Sequence, residues 1–198
     1  MEQYKKGVMQ KIFSQEIRFK DEDGKDFSEW EEKKLGEVLS YQQPTKYIVK
    51  STDYEDVFPI PVLTAGKTFI LGYTNEVENI YQGYPVIIFD DFTMASQFVN
   101  FPFKVKSSAM KILKNDSNQS DIRFIFSVMN VIHYPKGDEH KRFWISEYSK
   151  IKIPFPSLPE QTHIANFLIA LDNKIALVNE QIEKTKAYKK GLLQKMFV

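Results

Sequence analysis

Ten cations against five carboxylates lie between residues 104 and 152 and are the first candidates for chemistry in this chain: Lys104, Lys106, Lys111, Lys114, Arg123, Lys136, Lys141, Arg142, Lys150 and Lys152. Residues 16–103 are the reverse, with eight Lys/Arg against sixteen Asp/Glu, so the net charge of +1 conceals a basic stretch. Gathered on one surface, such groups bind a polyanion through phosphate contacts and counterion release. Spread over separate loops they are only solvated, and composition leaves both readings open.

Catalytic groupings are missing. Neither G-x-x-x-x-G-K-[ST] nor G-x-G-x-x-G occurs among the eight glycines, so no phosphate cradle is available for a nucleotide or for S-adenosylmethionine. Asn100-Phe101-Pro102-Phe103 resembles the Asn-Pro-Pro-aromatic motif of amino-methyltransferases but lacks its first proline, and it reads as a turn at a strand edge. His133, His140 and His163 have no metal-ligand spacing. Asp90 and Asp91 suggest a nuclease carboxylate pair, yet neighbours on a strand point to opposite faces, and the pair reads as the start of a loop. No Ser/His/Asp set can be assembled. These residues predict a non-catalytic protein without cofactor or metal. The absence of cysteine fits a reducing cytoplasm, and no apolar run approaches the ~18 residues of a membrane span.

The elements that would position the charged groups follow from hydrophobic period. Residues 2–13 read as a short helix, with Tyr4, Val8 and Ile12 on one face. Short β-rich runs broken by Gly and Pro occupy residues 57–63, 68–73, 85–89, 97–105 and 109–113. Residues 121–134 read as a helix, with Ile122, Ile125, Phe126, Met129 and Ile132 spaced at 3 and 4 and Pro135 closing it. The expected fold is α+β: a tail of helix over residues 1–15, a mixed α/β globular domain over 16–156, and a long coiled-coil helix over 157–198.

Pro159 suits the first turn of that helix and Glu160 its positive end. Ile164, Leu168, Leu171, Ile175, Val178, Ile182, Thr185, Lys189, Leu192 and Met196 then keep a strict 4-3 rhythm, and eight of these ten are apolar. A helix over residues 159–197 is roughly 58 Å long, and no other segment is long enough to cover its stripe. The sequence therefore predicts self-association or docking through Ile164, Leu168, Leu171, Ile175, Val178, Ile182, Leu192 and Met196. The two ends of the chain also repeat. Tyr4-Lys5-Lys6-Gly7-Val8-Met9-Gln10-Lys11-Ile12-Phe13 returns as Tyr188-Lys189-Lys190-Gly191-Leu192-Leu193-Gln194-Lys195-Met196-Phe197, with seven of ten positions identical, as expected of one unit of a tandem array.

Three features together resemble the specificity subunit of type I restriction-modification systems. They are Trp30-x-x-x-x-Leu35-Gly36-Glu37-Val38, the run Ile153-Pro154-Phe155-Pro156-Ser157-Leu158-Pro159-Glu160-Gln161, and the repeated decapeptide. The second run, continued by Ile164-Ala165-x-Phe167-Leu168-x-x-Leu171-Asp172-x-x-Ile175, is the strongest part. The resemblance implies a DNA target recognition domain followed by a conserved helix. In that family two recognition domains each read half of a bipartite site, two antiparallel helices set their spacing and dock two methyltransferase subunits, and restriction subunits join them. This chain holds one such domain and only the tail of the first helix, which points to a homodimer reading an inverted repeat.

The domain is variable in that family and no base-reading residue transfers by motif; from residue type and local pattern, the expected contacts with double-stranded DNA are Lys104, Lys106, Ser107, Ser108 and Lys111 on one part of the surface and the loop carrying Lys136, Lys141 and Arg142 on another. Thr64, Gly66, Lys67, Thr93 and Gln97 are candidates for the grooves, with Arg142 or Gln97 reading a base edge. The rival expectation is a helical protein-interaction module, for assembly or anti-restriction, that has no sequence-specific DNA binding of its own. A third, an autonomous nuclease or methylase, is disfavoured by the missing motifs.

Overall fold

The computed structural model describes residues 2–64, 68–115, 118–132 and 143–196. Helix α1 (Glu2–Phe13) is too short to persist alone and is held by packing. Its covered face is Met9 and Ile12, with Val8 and Phe13 against them, while Tyr4 is exposed. The expected Tyr4-Val8-Ile12 face is thus rotated: Lys5 turns inward to Asp172 and carries the Met9 side with it.

Strand β1 (Glu31–Lys34) leads directly into the single turn α2 (Leu35–Val38), where the Lys34 N–H donates to Glu37 Oε2 at 2.8 Å. After β2 (Ser40–Gln42) and a 3-10 turn (Pro44–Tyr47) come β3 (Ile60–Leu63), β4 (Ile70–Thr74), β5 (Val86–Asp90), β6 (Ser96–Val99), β7 (Lys104–Val105) and β8 (Met110–Lys114). Pro102 divides the expected 97–105 run into β6 and β7 because it brings no ladder donor. Helix α3 (Ile122–Met129) begins at an Asp121 cap whose side chain accepts from the Arg123 N–H at 2.8 Å. It ends short of residue 134: Asn130 caps it and the Val131 N–H reaches back only to the Val128 carbonyl, so Ile132 lies beyond the helix. The short helix α4 (Phe143–Ser146), a 3-10 turn (Tyr148–Lys150), β9 (Lys152–Phe155) and α5 (Leu158–Met196) complete the chain.

Among the described residues the strands form three sheets. β1 and β9 pair antiparallel, closing the head where α5 leaves it. The second sheet has the order β2-β8-β5-β6 and is antiparallel; the third has the order β4-β3-β7, with β3 parallel to β7. β5 is buried along its whole length, and its period of two feeds two cores: Ile87 and Phe89 enter the larger, Val86 and Ile88 the smaller. The larger core also takes Met9 and Ile12 of α1 and Ile164, Ala165 and Leu168 of α5, so both helices share it with the head. Among the described residues, no helix is long and apolar enough to cross a membrane.

Candidate nucleic-acid interface

Strand pairing brings separate candidate segments to one end of the two larger sheets. Asp90 on β5 stands opposite Met110 on β8, so the β5–β6 tip and the turn before β8, which holds Ser107 and Ser108, are neighbours. Leu63 pairs with Val105 and its carbonyl accepts the Lys106 N–H at 2.8 Å, which sets Thr64 beside Lys106. The Phe143 N–H donates to the Asp91 carbonyl at 3.3 Å, fixing the start of α4 at the same end. Thr64, Thr93, Lys106, Ser107 and Ser108 are therefore gathered. Gln97 is exposed but lies further along β6, opposite Ile88. Gly66, Lys67, Lys136, Lys141 and Arg142 lie outside the described residues, as do His133 and His140.

The β5–β6 tip is held by two buried carboxylates. Asp90 accepts from the Phe92 N–H (2.9 Å), the Thr93 N–H (3.3 Å) and Thr93 Oγ1 (2.6 Å), and Met94 takes a left-handed φ of 60°. Asp91 accepts the Trp144 N–H at 2.9 Å and pairs with Lys111 at 3.3 Å. The tip thus presents Phe92, 55% exposed, on a fixed turn. Sequence reasoning missed this ring. A signal was available, since an aromatic residue inside the turn-forming Asp-Asp-Phe-Thr run has no strand or helix face to join.

Two expected DNA contacts are corrected. Lys104 is 1% exposed; its Nζ donates to the Glu78 carbonyl at 2.7 Å and pairs with Glu76 at 2.9 Å. Lys111 is 2% exposed and committed to Asp91. Both are core cations, and a buried ammonium must find such partners. Burial pushes the Glu76 carboxyl up, but the N–H groups of Ser51 and Lys50 and the Lys104 ammonium outweigh it and hold the group below its ordinary value of 4.5. Arg123 is also engaged, 2.5 Å from Asp121. Burial likewise raises the Asp121 carboxyl, and the Arg123 guanidinium with the Arg123 and Phe124 N–H groups lowers it further, to a net position below 3.8. The excess of cations over residues 104–152 is accordingly not all surface charge. Lys106, half-buried with its ammonium 5.7 Å from the Tyr54 ring centroid, stays at the gathered end.

The Leu-Pro-Glu-Gln run is the joint between head and rod. Glu160 is fully buried in the first turn of α5, accepting from Trp30 Nε1 at 2.8 Å and pairing with Arg18 at 3.1 Å. Gln161, also fully buried, accepts the Asp121 N–H at 2.9 Å and donates to the Pro156 carbonyl at 2.8 Å. Glu160 acts here only as an acceptor, whereas Gln161 both accepts and donates, as an amide can and a carboxylate cannot.

Along α5 the expectation of a wholly uncovered stripe is corrected. Ile164 and Leu168 are 0 and 2% exposed because they join the core that the head shares with α1, and Ile175 is 6% exposed within the chain itself. Leu171 and Val178 are half-buried, while Leu177, Ile182, Leu192 and Leu193 are 55, 43, 45 and 44% exposed. The side chain of Met196 lies outside the described residues.

A family model for the type I restriction modification DNA specificity domain matches residues 27–187. The EcoR124I/EcoR124II specificity subunit of Escherichia coli is 55% identical over 135 residues, covering 65% of this chain and 33% of that protein. The MjaVIII specificity subunit of Methanocaldococcus jannaschii is 26% identical over 196 residues, covering 93% and 46%. The S subunit of a type I restriction-modification system from M. genitalium shares the fold with a TM-score of 0.63 at 16% identity, over 96% of this chain and 52% of that one. The HsdS subunit from Thermoanaerobacter tengcongensis gives 0.54 at 12% identity, over 90% and 46%. The chain thus spans between a third and about half the length of these relatives.

Proposed function

This chain belongs to the type I restriction-modification DNA specificity family, and from that premise we propose that its head reads one half of a bipartite duplex site. The observation that carries the reading is the gathering of Phe92, Thr93, Lys106, Ser107, Ser108 and Thr64 at one end of two sheets by pairings distant in sequence. Phosphate contacts from hydroxyls and Lys106 would fix register there, and Phe92 and Thr93 would meet base edges, where an aromatic ring suits a thymine methyl. The head supplies recognition and no chemistry; methyl transfer and cleavage belong to methyltransferase subunits docked on α5 and restriction subunits joined through them.

The same reading makes the working unit a homodimer. Covering a half-exposed Leu or Ile is worth about 1 kcal/mol, so Ile182, Leu192 and Leu193 on each copy, which lie on one side of α5, yield several kcal/mol for a two-fold pair. That supports association that depends on concentration and is strengthened by methyltransferase. Purified chain with methyltransferase subunit, titrated against random and selected duplexes, tests the proposal, together with methylome sequencing with and without the gene. Specific affinity and a methylated inverted repeat that vanishes with the gene are expected; equal affinity for all duplexes and an unchanged methylome refute it.

The interaction-module reading draws on the internal pairing of Lys104 and Lys111, which weakens the basic surface. It is distinguished by methyltransferase capture without any preference among duplexes.

A further inference from the structure

Lys104, Lys106 and Lys111 belong to one basic stretch but are held in two different ways. Lys104 and Lys111 stand against carboxylates, 2.9 Å from Glu76 and 3.3 Å from Asp91, so each charge is cancelled where it sits. Lys106 has no carboxylate partner among the described residues, and its ammonium lies 5.7 Å from the centroid of the Tyr54 ring. A ring attracts a cation through its quadrupole and leaves the net charge in place. Held in this way, an ammonium keeps its field for a second, anionic partner.

The ring is brought to Lys106 by segments far apart in the chain. Leu63 and Val105 enter the smaller core, so strand alternation puts Val62, its partners Gly72 and Lys104, and Lys106 just beyond β7 on the reverse face of that sheet. Tyr54 lies on this face. A Cβ at Gly72 would stand 2.8 Å from Tyr54 Cβ, so a side chain there would force Tyr54 away from β4. The segment around Tyr54 is pinned on both sides: Glu76 accepts the Lys50 and Ser51 N–H groups, each at 2.8 Å, and the Glu55 N–H donates to the Tyr73 carbonyl at 3.2 Å. The Lys106 backbone is fixed in turn by its N–H bond to the Leu63 carbonyl. Tyr54 Oη is buried with no hydrogen-bond partner, so the hydroxyl does not hold the side chain there; a stranded hydroxyl is a cost that the ring contacts must outweigh.

We propose, on the half-site reading above, that Tyr54 is a positioning residue for DNA binding: its ring holds the Lys106 ammonium, uncancelled, at the gathered end where a phosphate is met. Gly72 is the seat that lets the ring lie there. An uncharged residue some 50 positions before the lysine thus sets the reach of the lysine's charge.

The full chain with methyltransferase subunit, titrated with the selected duplex at several salt concentrations, tests this in four variants: K106A, Y54F, Y54L and Y54L/K106A. K106A should lower the slope of log affinity against log salt by about 0.9, as loss of one phosphate contact does. Y54F keeps the ring and removes the stranded hydroxyl, so it should bind as the parent does and resist urea at least as well. Y54L fills much of the same space without a quadrupole. It should weaken binding roughly two- to fivefold, make the salt slope shallower, and add nothing on the K106A background, whereas general damage to the head would weaken both backgrounds alike. Y54L that binds as the parent while K106A is weakened, Y54L that weakens the K106A chain as much as the parent, or Y54F as weak as Y54L, each overturns the proposal. Parental affinity and slope in K106A instead refute the phosphate role given to Lys106 in the half-site reading, and the proposal falls with it.

Discussion

Replacing Glu160 with Ala should loosen the rod from the head, and its cost can be worked from the joint. The carboxylate is fully buried, accepts the Trp30 indole N–H at 2.8 Å and takes two guanidinium contacts from Arg18 at 3.1 and 3.5 Å. A hydrogen bond to a charged group contributes about 1.5 to 3 kcal/mol, and an acidic group in the first turn of a helix about 0.3 to 1 kcal/mol. Arg18 is a quarter exposed and also donates to the carbonyls of Phe27 and Ser28, so it rehydrates rather than being stranded. The expected loss is therefore about 2 to 4 kcal/mol, below the ~3 to 5 kcal/mol of a wholly buried broken pair. For a chain of this size that is a fall in Tm of roughly 5 to 15 °C by circular dichroism. Glu160→Gln keeps an acceptor for Trp30 and should lose about half as much. Urea unfolding that places E160A within about 0.5 kcal/mol of the parent, the scale of an ordinary surface change, would refute the claim that this carboxylate joins the two parts.

Phe92→Ala should weaken specific duplex binding by about 1 to 3 kcal/mol, the worth of a good base contact, while changing stability by less than ~0.5 kcal/mol because the ring is mostly exposed; an unchanged mobility-shift titration would remove Phe92 from the interface. Lys111→Ala should destabilise the head by about 3 to 5 kcal/mol by stranding Asp91, yet leave the salt dependence of DNA binding intact; a slope reduced by about 0.9 would show a phosphate contact instead. Glu76 has a folded value below 4.5, so its stabilisation is present above the unfolded value and is lost as pH falls through the folded one. Urea unfolding between about pH 5 and pH 3 should accordingly fall more steeply for the parent than for Glu76→Gln, and equal slopes would contradict the assignment.

What the sequence by itself determined was whatever rests on neighbours along the chain. The 4-3 rhythm predicted a helix over residues 159–197, and α5 spans Leu158–Met196; apolar runs at 85–89 and 109–113 became β5 and β8. Helical period and strand alternation are local properties, set by backbone geometry over a few residues. β1 escaped notice because Glu-Glu-Lys-Lys has no apolar alternation and becomes a strand only by pairing with β9. Only the tertiary structure decided which charges face water. Lys104 meets Glu76, Lys111 meets Asp91, and Arg18 reaches Glu160 across 142 residues, so an ammonium counted as surface charge in a composition turns out to fill a core. It also decided which half of the apolar stripe is already covered, since Ile164, Leu168 and Ile175 are buried within the chain while Ile182 and Leu192 are not. Burial is a sum over everything that folds back onto a residue, and that sum has no period in the sequence.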